Sequence, residues 1–394
     1  QQKGIPIISK ITFTGELVLK ESSEYTSYKG RLFLVRPQSI IFSKINARRG
    51  CIFYVPEGHR VFAVSGEYPV LALFSKHAIG EYVNLALRVG PAKENLLGGA
   101  SGMAKARTYL EDFQKVKIPL PSLDTQERIV AAWQQARVKI AQSQVQVTEL
   151  EKQIYSYVSQ KLGRKKNNST RPRFFSLKWQ EVDRWGVEIA WNTKYQLTDS
   201  QYPTRTIGEL CKIGSGGTPS RERPNYFGGN ILWVKTTEVL NEIILDTEEK
   251  ITELGLNNSS AKIYPAGSLI IAMYGQGATR GRTAKLGVAA ATNQACAVLH
   301  EFAKEIDPDY LWYYLMSEYD NLRLQASGNN QPNLNAAMIA NYIVPIPPLE
   351  VQKEIVHYVE KGRLRICQEK EAVAKLAEEA EREVERMILG LEKP

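Results

Sequence analysis

Basic and amide side chains are concentrated in two short segments, each of which follows an apolar stretch that begins with serine. The apolar stretches are Ser39-Ile-Ile-Phe42 and Ser268-Leu-Ile-Ile-Ala-Met-Tyr274. The candidate residues are Lys44, Asn46, Arg48 and Arg49 in the first segment, and Tyr274, Gln276, Thr279, Arg280 and Arg282 in the second. Arginine donates in pairs to guanine, asparagine or glutamine pairs with adenine, and basic groups bind phosphates. These residue types indicate contacts to nucleic acid, and the alternative is a pair of solvated turns whose charges only aid solubility.

A third segment mixes basic, amide and aromatic residues. It contains Arg221, Arg223 and Tyr226, and it leads into Trp233 and Lys235. Such interleaving suits nucleic acid, because bases stack on aromatic rings while cations neutralise phosphates. Aromatic residues in strands usually pack inward, so a core position is the preferred interpretation of Trp233. Arg221, Arg223 and Lys235 remain candidates for DNA binding.

Known catalytic signatures are missing from the sequence. The Gly-rich run Gly214-Ser-Gly-Gly-Thr-Pro-Ser220 lacks the lysine of a phosphate-binding loop, and it is interpreted as a shaped surface turn. No amino-methyltransferase motif Asn-Pro-Pro-aromatic, nucleophile elbow or His-Glu-x-x-His pair is present. The four cysteines are far apart and the four histidines are scattered, so neither a zinc site nor a disulfide framework is predicted. We expect no catalytic residue, no metal and no cofactor in this chain.

Composition and charge bound the function classes. The chain has 394 residues, of which 43% are hydrophobic, so wholesale disorder is excluded. No apolar run is long enough for a membrane helix, and the cysteine usage fits a reduced, cytoplasmic setting. Residues 1–117 hold 17 Lys or Arg against 9 Asp or Glu, which favours a polyanion partner, whereas residues 205–344 hold 12 against 14. The chain begins with Gln1 rather than methionine, so a trimmed chain or part of a longer one is expected.

An internal repeat organises the sequence. Ile118-Pro-Leu-Pro-Ser-Leu-Asp-Thr-Gln-Glu-Arg-Ile-Val130 matches Val344-Pro-Ile-Pro-Pro-Leu-Glu-Val-Gln-Lys-Glu-Ile-Val356 at an offset of 226, and Ala100-Ser-Gly102 matches Ala326-Ser-Gly328 at the same offset. An offset this large is too long for a solenoid. It predicts two copies of one large unit, related by pseudo-two-fold symmetry.

A long helix is predicted after each Pro-rich motif. Asp124 and Glu350 are candidate caps, and Gly163 ends the first helix before a basic linker, Arg164 to Pro172. Apolar residues step by four and three, which is typical of a coiled-coil seam. The seam residues are Ile129, Trp133, Ile140, Val147 and Leu150 in the first helix and Ile355, Val359, Ile366, Val373 and Leu376 in the second. The same spacing predicts Glu383 as a further seam position of the second helix. An antiparallel pair is predicted, and the alternative is two helices that pack only on their own domains. About 39 residues of helix span about 58 Å.

The segments before each helix are strand-rich by pattern. Strands are predicted at 30–35, 39–42, 51–55 and 68–74 in the first copy and at 231–234, 268–274 and 295–299 in the second, with a helix near 309–316. The sequence therefore predicts an α+β fold: two mostly-β domains joined and spaced by two long antiparallel coiled-coil helices.

The chain resembles the DNA specificity subunit of type I restriction–modification systems. The matching segments are Ile207-Gly-Glu-Leu210, Gly216-Gly-Thr-Pro-Ser220, Tyr226-Phe-Gly-Gly-Asn-Ile-Leu-Trp233, Asn329-Asn-Gln-Pro-Asn-Leu334, and the two motifs Pro119–Ile129 and Pro345–Ile355. The first copy departs from this pattern because it lacks the Gly-Gly-Thr-Pro-Ser segment. The resemblance implies a first target recognition domain at 1–120, a spacer helix at 121–163, a linker and the start of the second unit at 164–204, a second target recognition domain at 205–348, and a second spacer helix at 349–394.

The resemblance also implies partners. Each domain would read one half of a split site in double-stranded DNA, and the helix pair would space the domains and dock methyltransferase subunits, which bring S-adenosylmethionine. A motor-nuclease subunit could join this complex, and no catalysis would lie in this chain. Two alternatives stay open: the specificity portion of a fused single-chain restriction–modification enzyme, and a coiled-coil scaffold whose β domains bind proteins.

Overall fold

The computed structural model describes residues 5–20, 30–73, 76–97, 107–164, 200–275, 277–326 and 333–391. The chain divides into two compact units, residues 1–146 with 369–394 and residues 147–368. Each unit therefore contains a strand-rich part and one section of each long helix. Residues 165–172 of the predicted linker, Gln276, and most of the run 329–334 lie outside the described residues.

The first unit contains seven described strands and the start of the first long helix. The strands are β1 (Ile7–Ile11), β2 (Leu17–Lys20), β3 (Leu32–Val35), β4 (Ser39–Phe42), β5 (Ile52–Val55), β6 (Phe62–Ser65) and β7 (Val70–Ala72). The helices are α1 (Gly80–Ala86), α2 (Gly90–Leu97), α3 (Leu110–Phe113) and α4 (Leu123–Lys161). Two sheets form, in the orders β2-β1-β6-β3 and β5-β4-β7.

The second unit has the larger sheets. Its strands are β8 (Thr204–Thr206), β9 (Lys212–Ser215), β10 (Phe227–Val234), β11 (Ile243–Ile244), β12 (Lys250–Ile251), β13 (Ile263–Tyr264), β14 (Leu269–Ala272), β15 (Thr283–Leu286), β16 (Ala290–Thr292), β17 (Cys296–His300) and β18 (Ile343–Pro345). Its helices are α5 (Ile207–Leu210), α6 (Glu253–Asn257), α7 (Pro308–Ser317), α8 (Tyr319–Gln325), α9 (Ala336–Ala340) and α10 (Leu349–Ile388), which continues into the first unit. The sheet orders are β12-β10-β16-β13, β11-β15-β14-β17-β9 and β18-β8.

The two units share a strand-for-strand topology. The order β2-β1-β6-β3 recurs as β12-β10-β16-β13, with the same parallel central pair and antiparallel outer pairs. The trio β5-β4-β7 recurs as β15-β14-β17, antiparallel in both units. The predicted repeat is therefore present in the fold, although the two units share little sequence outside the Pro-rich motifs. The predicted mixture of strands and long helices is confirmed.

A buried glutamine explains the Pro-rich motif. Gln126 in the first turn of α4 accepts from the Ile79 amide at 2.9 Å and donates to the carbonyls of His77 and Pro121 at 2.9 and 2.8 Å. Gln352 of α10 repeats all three bonds with the equivalent residues Asp307, Glu305 and Pro347. Both side chains are fully buried. Each glutamine ties the start of a long helix to the segment that precedes the α1 or α7 helix of its own unit.

A tyrosine reinforces the same junction in each unit. Tyr82 of α1 donates its hydroxyl to the Pro119 carbonyl at 2.7 Å, and Tyr310 of α7 donates to the Pro345 carbonyl at 2.8 Å. The proposed caps Asp124 and Glu350 lie inside the first helical turn rather than at the cap, because the helices begin at Leu123 and Leu349. Their carboxylates still favour the positive end of the helix dipole.

Sections of α4 and α10 pack against each other in the second unit. Tyr157 stacks on Tyr358 with ring centroids 3.6 Å apart, and its hydroxyl donates to Glu354 at 3.0 Å. A Cβ at Gly362 would lie 2.7 Å from the Ile154 side chain, so a larger residue there would force that side chain to move. Because higher numbers in one helix meet lower numbers in the other, the two sections run antiparallel.

The predicted seam residues divide between the two units. Val147, Leu150, Ile355, Val359 and Ile366 belong to the second unit's core. In the first unit Ile129 is buried with Val384 and Ile388, and Trp133 packs against them. Ile140, Val373 and Leu376 are half-buried. The predicted seam position Glu383 is wrong: it is exposed, and the buried positions Ala380, Val384 and Ile388 step by four.

The C-terminal end of α4 is anchored by a buried ion pair. Arg164 pairs with Glu318, whose carboxylate also accepts from the Tyr342 hydroxyl and the Asn321 amide, each at 2.8 Å. Both charged side chains are largely removed from water, so the additional hydrogen bonds are what make the pair tolerable there. The pair holds the residue at the start of the predicted linker to the second unit.

Candidate nucleic-acid interface

The two candidate loops join equivalent strand pairs. In the first unit β4 pairs antiparallel with β5, with Phe42 opposite Ile52. In the second unit β14 pairs antiparallel with β15, with Ile271 opposite Thr283. Nine residues connect the first pair and ten connect the second. Both strands before a loop are fully buried, so each loop is presented by a rigid core strand.

The first loop folds into one compact turn. Asn46 precedes a single 3₁₀ turn at Ala47–Arg49, which Gly50 ends in a left-handed conformation with φ of 91°. The Lys44 amide donates to the Glu67 carbonyl at 3.1 Å, and its own carbonyl accepts from Thr108 at 2.7 Å. The loop backbone is therefore fixed on both sides, while its polar side chains stay at least partly accessible.

The charges in this loop differ in their surroundings. Arg49 is exposed, and its guanidinium lies 4.0 Å from the centre of the Phe13 ring. Lys44, Asn46 and Arg48 are half-buried. The stacking on Phe13 orients Arg49 and adds a modest cation–π attraction. The turn thus brings the four predicted residues together on one loop.

The second loop is held by helix α8. The Tyr319 hydroxyl donates to the Ala278 carbonyl at 2.8 Å, and Arg323 donates to the Arg280 carbonyl at 3.0 Å. Within the loop, the Arg282 amide donates to the Thr279 carbonyl at 3.1 Å. Tyr274 is exposed, whereas Thr279 and Arg282 are half-buried. Four of the five predicted residues are therefore on one braced loop, and the fifth, Gln276, lies outside the described residues.

Helix α8 also places a second arginine near Arg280. Burial lowers the pKa of Arg280, and the positive charge of Arg323 lowers it further. Arg323 lies on α8, far along the chain from the loop, and no pattern in the sequence marks it as part of this site.

The third segment is organised around acidic residues. Arg221 lies 2.8 Å from Glu249, and Lys235 lies 2.9 Å from Glu248 and 3.5 Å from Glu249. The hydrogen bond from Arg221 lowers the pKa of Glu249. Two of the three predicted cations therefore already have carboxylate partners, and Arg223 is exposed beside them.

Aromatic residues in this segment pack inward. Trp233 is buried and donates its indole N–H to the Gly217 carbonyl at 2.9 Å, as the preferred interpretation required. The guanidinium of Arg221 lies 4.4 Å from the Phe227 ring centre. The Gly-rich run is tightly packed, because a Cβ at Gly216 would lie 2.0 Å from the Thr292 carbonyl oxygen. This packing explains the glycine without a bound nucleotide.

Among the described residues, no group of three or more His, Cys, Asp or Glu residues is arranged to hold a metal ion. None of the described helices combines the length and apolarity that crossing a bilayer requires.

Comparisons with known proteins point to one family. Residues 199–372 match the type I restriction modification DNA specificity domain. The chain is 24% identical over 264 residues to the specificity subunit of the type I restriction enzyme EcoR124I/EcoR124II from Escherichia coli, covering 65% of this chain and 57% of that protein. It is 25% identical over 186 residues to the MjaIX specificity subunit from Methanocaldococcus jannaschii, covering 43% of this chain and 40% of that protein.

The fold also matches a solved structure. A chain described in work on the complex assembly and conformational transition of the type I R-M system superposes with a TM-score of 0.61, covering 98% of this chain and 91% of that chain at 16% identity. The matched segments span about two fifths to three fifths of the length of the two curated relatives. The chain is thus similar to type I restriction–modification specificity subunits, and residues 199–372 match their DNA specificity domain.

Proposed function

We propose that this chain recognises a two-part sequence in double-stranded DNA, with each unit reading one half. The observation that carries the proposal is the pair of loops, β4–β5 and β14–β15, which occupy equivalent positions in a duplicated fold and both carry basic residues. The match of residues 199–372 to a type I restriction modification DNA specificity domain supports the same function. A protein with internal two-fold similarity suits a two-part site, as symmetric dimers suit palindromes.

The two half-sites are expected to differ. The first loop offers Lys44, Asn46, Arg48 and Arg49, whereas the second offers Tyr274, Gln276, Thr279, Arg280 and Arg282. Base edges are distinguished by the donors and acceptors they meet in the major groove, so different side chains select different bases. In the third segment, Arg221 and Lys235 would have to exchange their bonds to Glu248 and Glu249 for bonds to phosphate.

The long helices are proposed to act as a spacer. Helices α4 and α10 have 39 and 40 residues. At 1.5 Å per residue, each spans about 58–60 Å, which corresponds to about 17 base pairs as an upper bound on the separation of the half-sites.

We propose that the pair also docks methyltransferase subunits, which supply S-adenosylmethionine, and that a motor-nuclease subunit can join. In this account the chain itself is non-catalytic, binds no cofactor and works on cytoplasmic DNA.

A protein-binding scaffold is the second candidate. The acidic balance of residues 205–344 and the carboxylate partners of Arg221 and Lys235 favour it. The fused single-chain arrangement is a separate alternative, which the reading frame upstream of this chain decides. A methyltransferase domain in the same frame would establish the fusion, and a stop codon would exclude it.

Salt dependence of DNA binding separates the first two candidates. The measurement is fluorescence anisotropy of a labelled duplex with the full chain, alone and with its methyltransferase partner, between about 50 and 200 mM salt. Each neutralised phosphate contributes a slope of about −0.9 to log K against log salt, so we expect a slope of about −3 or steeper. Binding without salt dependence, or no binding by the stable complex, would favour the scaffold.

A further inference from the structure

The internal repeat provides a built-in comparison for helix α1. The shared bonds of Tyr82 and Tyr310 align α1 with α7 at an offset of 228. At that offset Asn84 is equivalent to Trp312, and Arg88, just past the end of α1, is equivalent to Met316. The two units therefore place different chemistry at the same position of the fold.

In the second unit this position is packed. Trp312 and Met316 are both buried. Arg363 of α10 lies 5.6 Å from the Trp312 ring centre, with one guanidinium nitrogen 3.9 Å from the Met316 sulfur. The same guanidinium lies 2.9 Å from the carboxylate of Glu242. Because this position is filled by apolar side chains and Arg363 is already paired with Glu242, no unpaired polar group of the described residues is left here for a ligand to bind.

In the first unit the same frame lines a cavity that is open to solvent on one side. Arg137 of α4 and Glu16 are equivalent to Arg363 and Glu242 at an offset of 226, and they form the same ion pair at 2.8 Å. Asn84 and Arg88 stand where the second unit has tryptophan and methionine, and a cavity of about 300 Å³ is present. Its walls include Phe53, Tyr54, Asn84, Arg88, Trp133 and Arg137, and the acidic Glu81 also lines it.

Two polar atoms of this cavity have no protein partner. The Nε of Arg88 and the Oδ1 of Asn84 are buried and make no hydrogen bond to the residues that the structure describes. No ion pair joins Arg88 to a carboxylate of the described residues: Glu16 pairs with Arg137, and Glu381 and Glu16 act on Arg88 only at longer range. Burial lowers the pKa of Arg88, yet a guanidinium stays charged near neutral pH. A half-buried guanidinium whose Nε has no hydrogen-bond partner gains from an added anion, so the site is complementary to one.

We propose that this cavity binds a small planar organic anion: a ring carrying a carboxylate or phosphate together with an N–H or O–H donor. The anionic group would pair with Arg88, the donor would bond to the Asn84 oxygen, and the ring would lie among Phe53, Tyr54 and Trp133. Pockets that hold small ligands combine aromatic walls with a few fixed polar groups in this way. The second unit, with Trp312 and Met316 in these places, would not bind such a molecule.

Calorimetric titration of the full chain, without DNA, tests the proposal. The probes are 4-hydroxybenzoate for the carboxylate, adenosine monophosphate for the phosphate, and inorganic phosphate as an anion without a ring. We expect one-to-one binding of at least one ring-bearing probe, and Arg88→Met should weaken it about tenfold or more. Which probe binds identifies the anionic group. Arg36→Met, which removes an exposed charge outside the cavity, should leave binding unchanged.

A second variant copies the packed unit. Asn84→Trp with Arg88→Met introduces the residues of the second unit and should abolish binding while raising the unfolding temperature, because it removes the buried charge and fills the space. Failure of all three probes to bind at up to about 5 mM would overturn the proposal. So would binding that survives Arg88→Met unchanged, or a fall in unfolding temperature for the double variant. These readouts do not involve DNA, so they are independent of the proposed function.

Discussion

The basic residues of this chain differ in what already neutralises them. Arg221 and Lys235 lie against Glu248 and Glu249, so a phosphate must displace a carboxylate to reach them. In the loop after β4, by contrast, the exposed Arg49 lies over the Phe13 ring, and no ion pair joins it to a carboxylate of the described residues. A phosphate can reach this cation without displacing a carboxylate. We therefore expect the loop after β4 to contribute more to the energy of DNA binding than the third segment.

Replacing Arg280 and Arg282 by alanine should weaken recognition of one half-site only. A lost bidentate base contact costs about 1–3 kcal/mol of discrimination, so preference at the second half-site should fall about tenfold or more. The measurement is competition binding with duplexes in which one half-site at a time is scrambled. Lys44→Ala with Arg48→Ala should give the reciprocal result at the first half-site. Equal loss at both half-sites from either double variant would contradict the assignment.

The four cysteines give a residue-scale check of the fold. Cys367 is exposed, whereas Cys51, Cys211 and Cys296 are buried, and none forms a disulfide. Burial raises the pKa of Cys211 to about 12, and it raises those of Cys51 and Cys296 as well. Because the thiolate is the reactive form, buried thiols with raised pKa values should resist modification.

Native protein at pH 8 should therefore incorporate one thiol label, at Cys367, and unfolded protein should incorporate four. Mass spectrometry of the labelled peptides makes the assignment, and Cys367→Ser is the control that should remove the native label. Rapid labelling of Cys296, which lies in the core strand β17, would show that the second unit is not packed as described.

At the scale of elements, the apolar strands and long helices were predictable because their signals are local. Predicted strands at 39–42 and 51–55 correspond to β4 and β5, and the predicted helix near 309–316 corresponds to α7. Other strands, such as β2, β12 and β16, carry too little local pattern, and their pairing with neighbouring strands of the sheet defines them. The seam prediction failed at Glu383 because an α-helix has 3.6 residues per turn, so a seven-residue repeat gradually moves off the buried face.

The candidate site was predictable only in part. Hairpin position and residue type identified the two loops from the sequence. Arg323 braces the second loop, and Glu248 and Glu249 neutralise cations of the third segment; these contacts join residues that are distant or unremarkable in sequence. The motif glutamines were visible as repeated residues, but their role depends on backbone groups such as the amide of Ile79, 47 residues earlier. Such contacts arise from tertiary structure and leave no local signature.

Removing either motif glutamine should loosen the junction between a long helix and its unit. Gln126→Ala leaves the Ile79 amide and two carbonyls without their partner, and each buried orphan group costs about 1–3 kcal/mol. Hydrogen exchange should show faster exchange of the Ile79 amide, and Gln352→Ala should do the same for Asp307. The exposed Gln135→Ala and Gln368→Ala are matched controls on the same helices. Unchanged protection in both motif variants would contradict a role for these bonds.

For the whole molecule, duplication is the organising feature. One strand order, one glutamine bond set and one ion pair recur in both units, while the loop residues and the charge balance differ. A duplicated frame keeps the loop geometry constant while the loop sequences diverge. That combination is what a reader of two different half-sites requires, and a generic scaffold has no need for it.

The central claim is that this chain selects a two-part DNA sequence, and methylation mapping tests it most directly. The chain would be co-expressed with its neighbouring methyltransferase gene, and adenine methylation would be mapped across the host genome with and without the chain. The account predicts a new motif of two unlike half-sites with a fixed gap, methylated only when the chain is present. The account would be contradicted if a stable complex produced no new methylated motif. It would also be contradicted if the new motif were one continuous sequence without a gap.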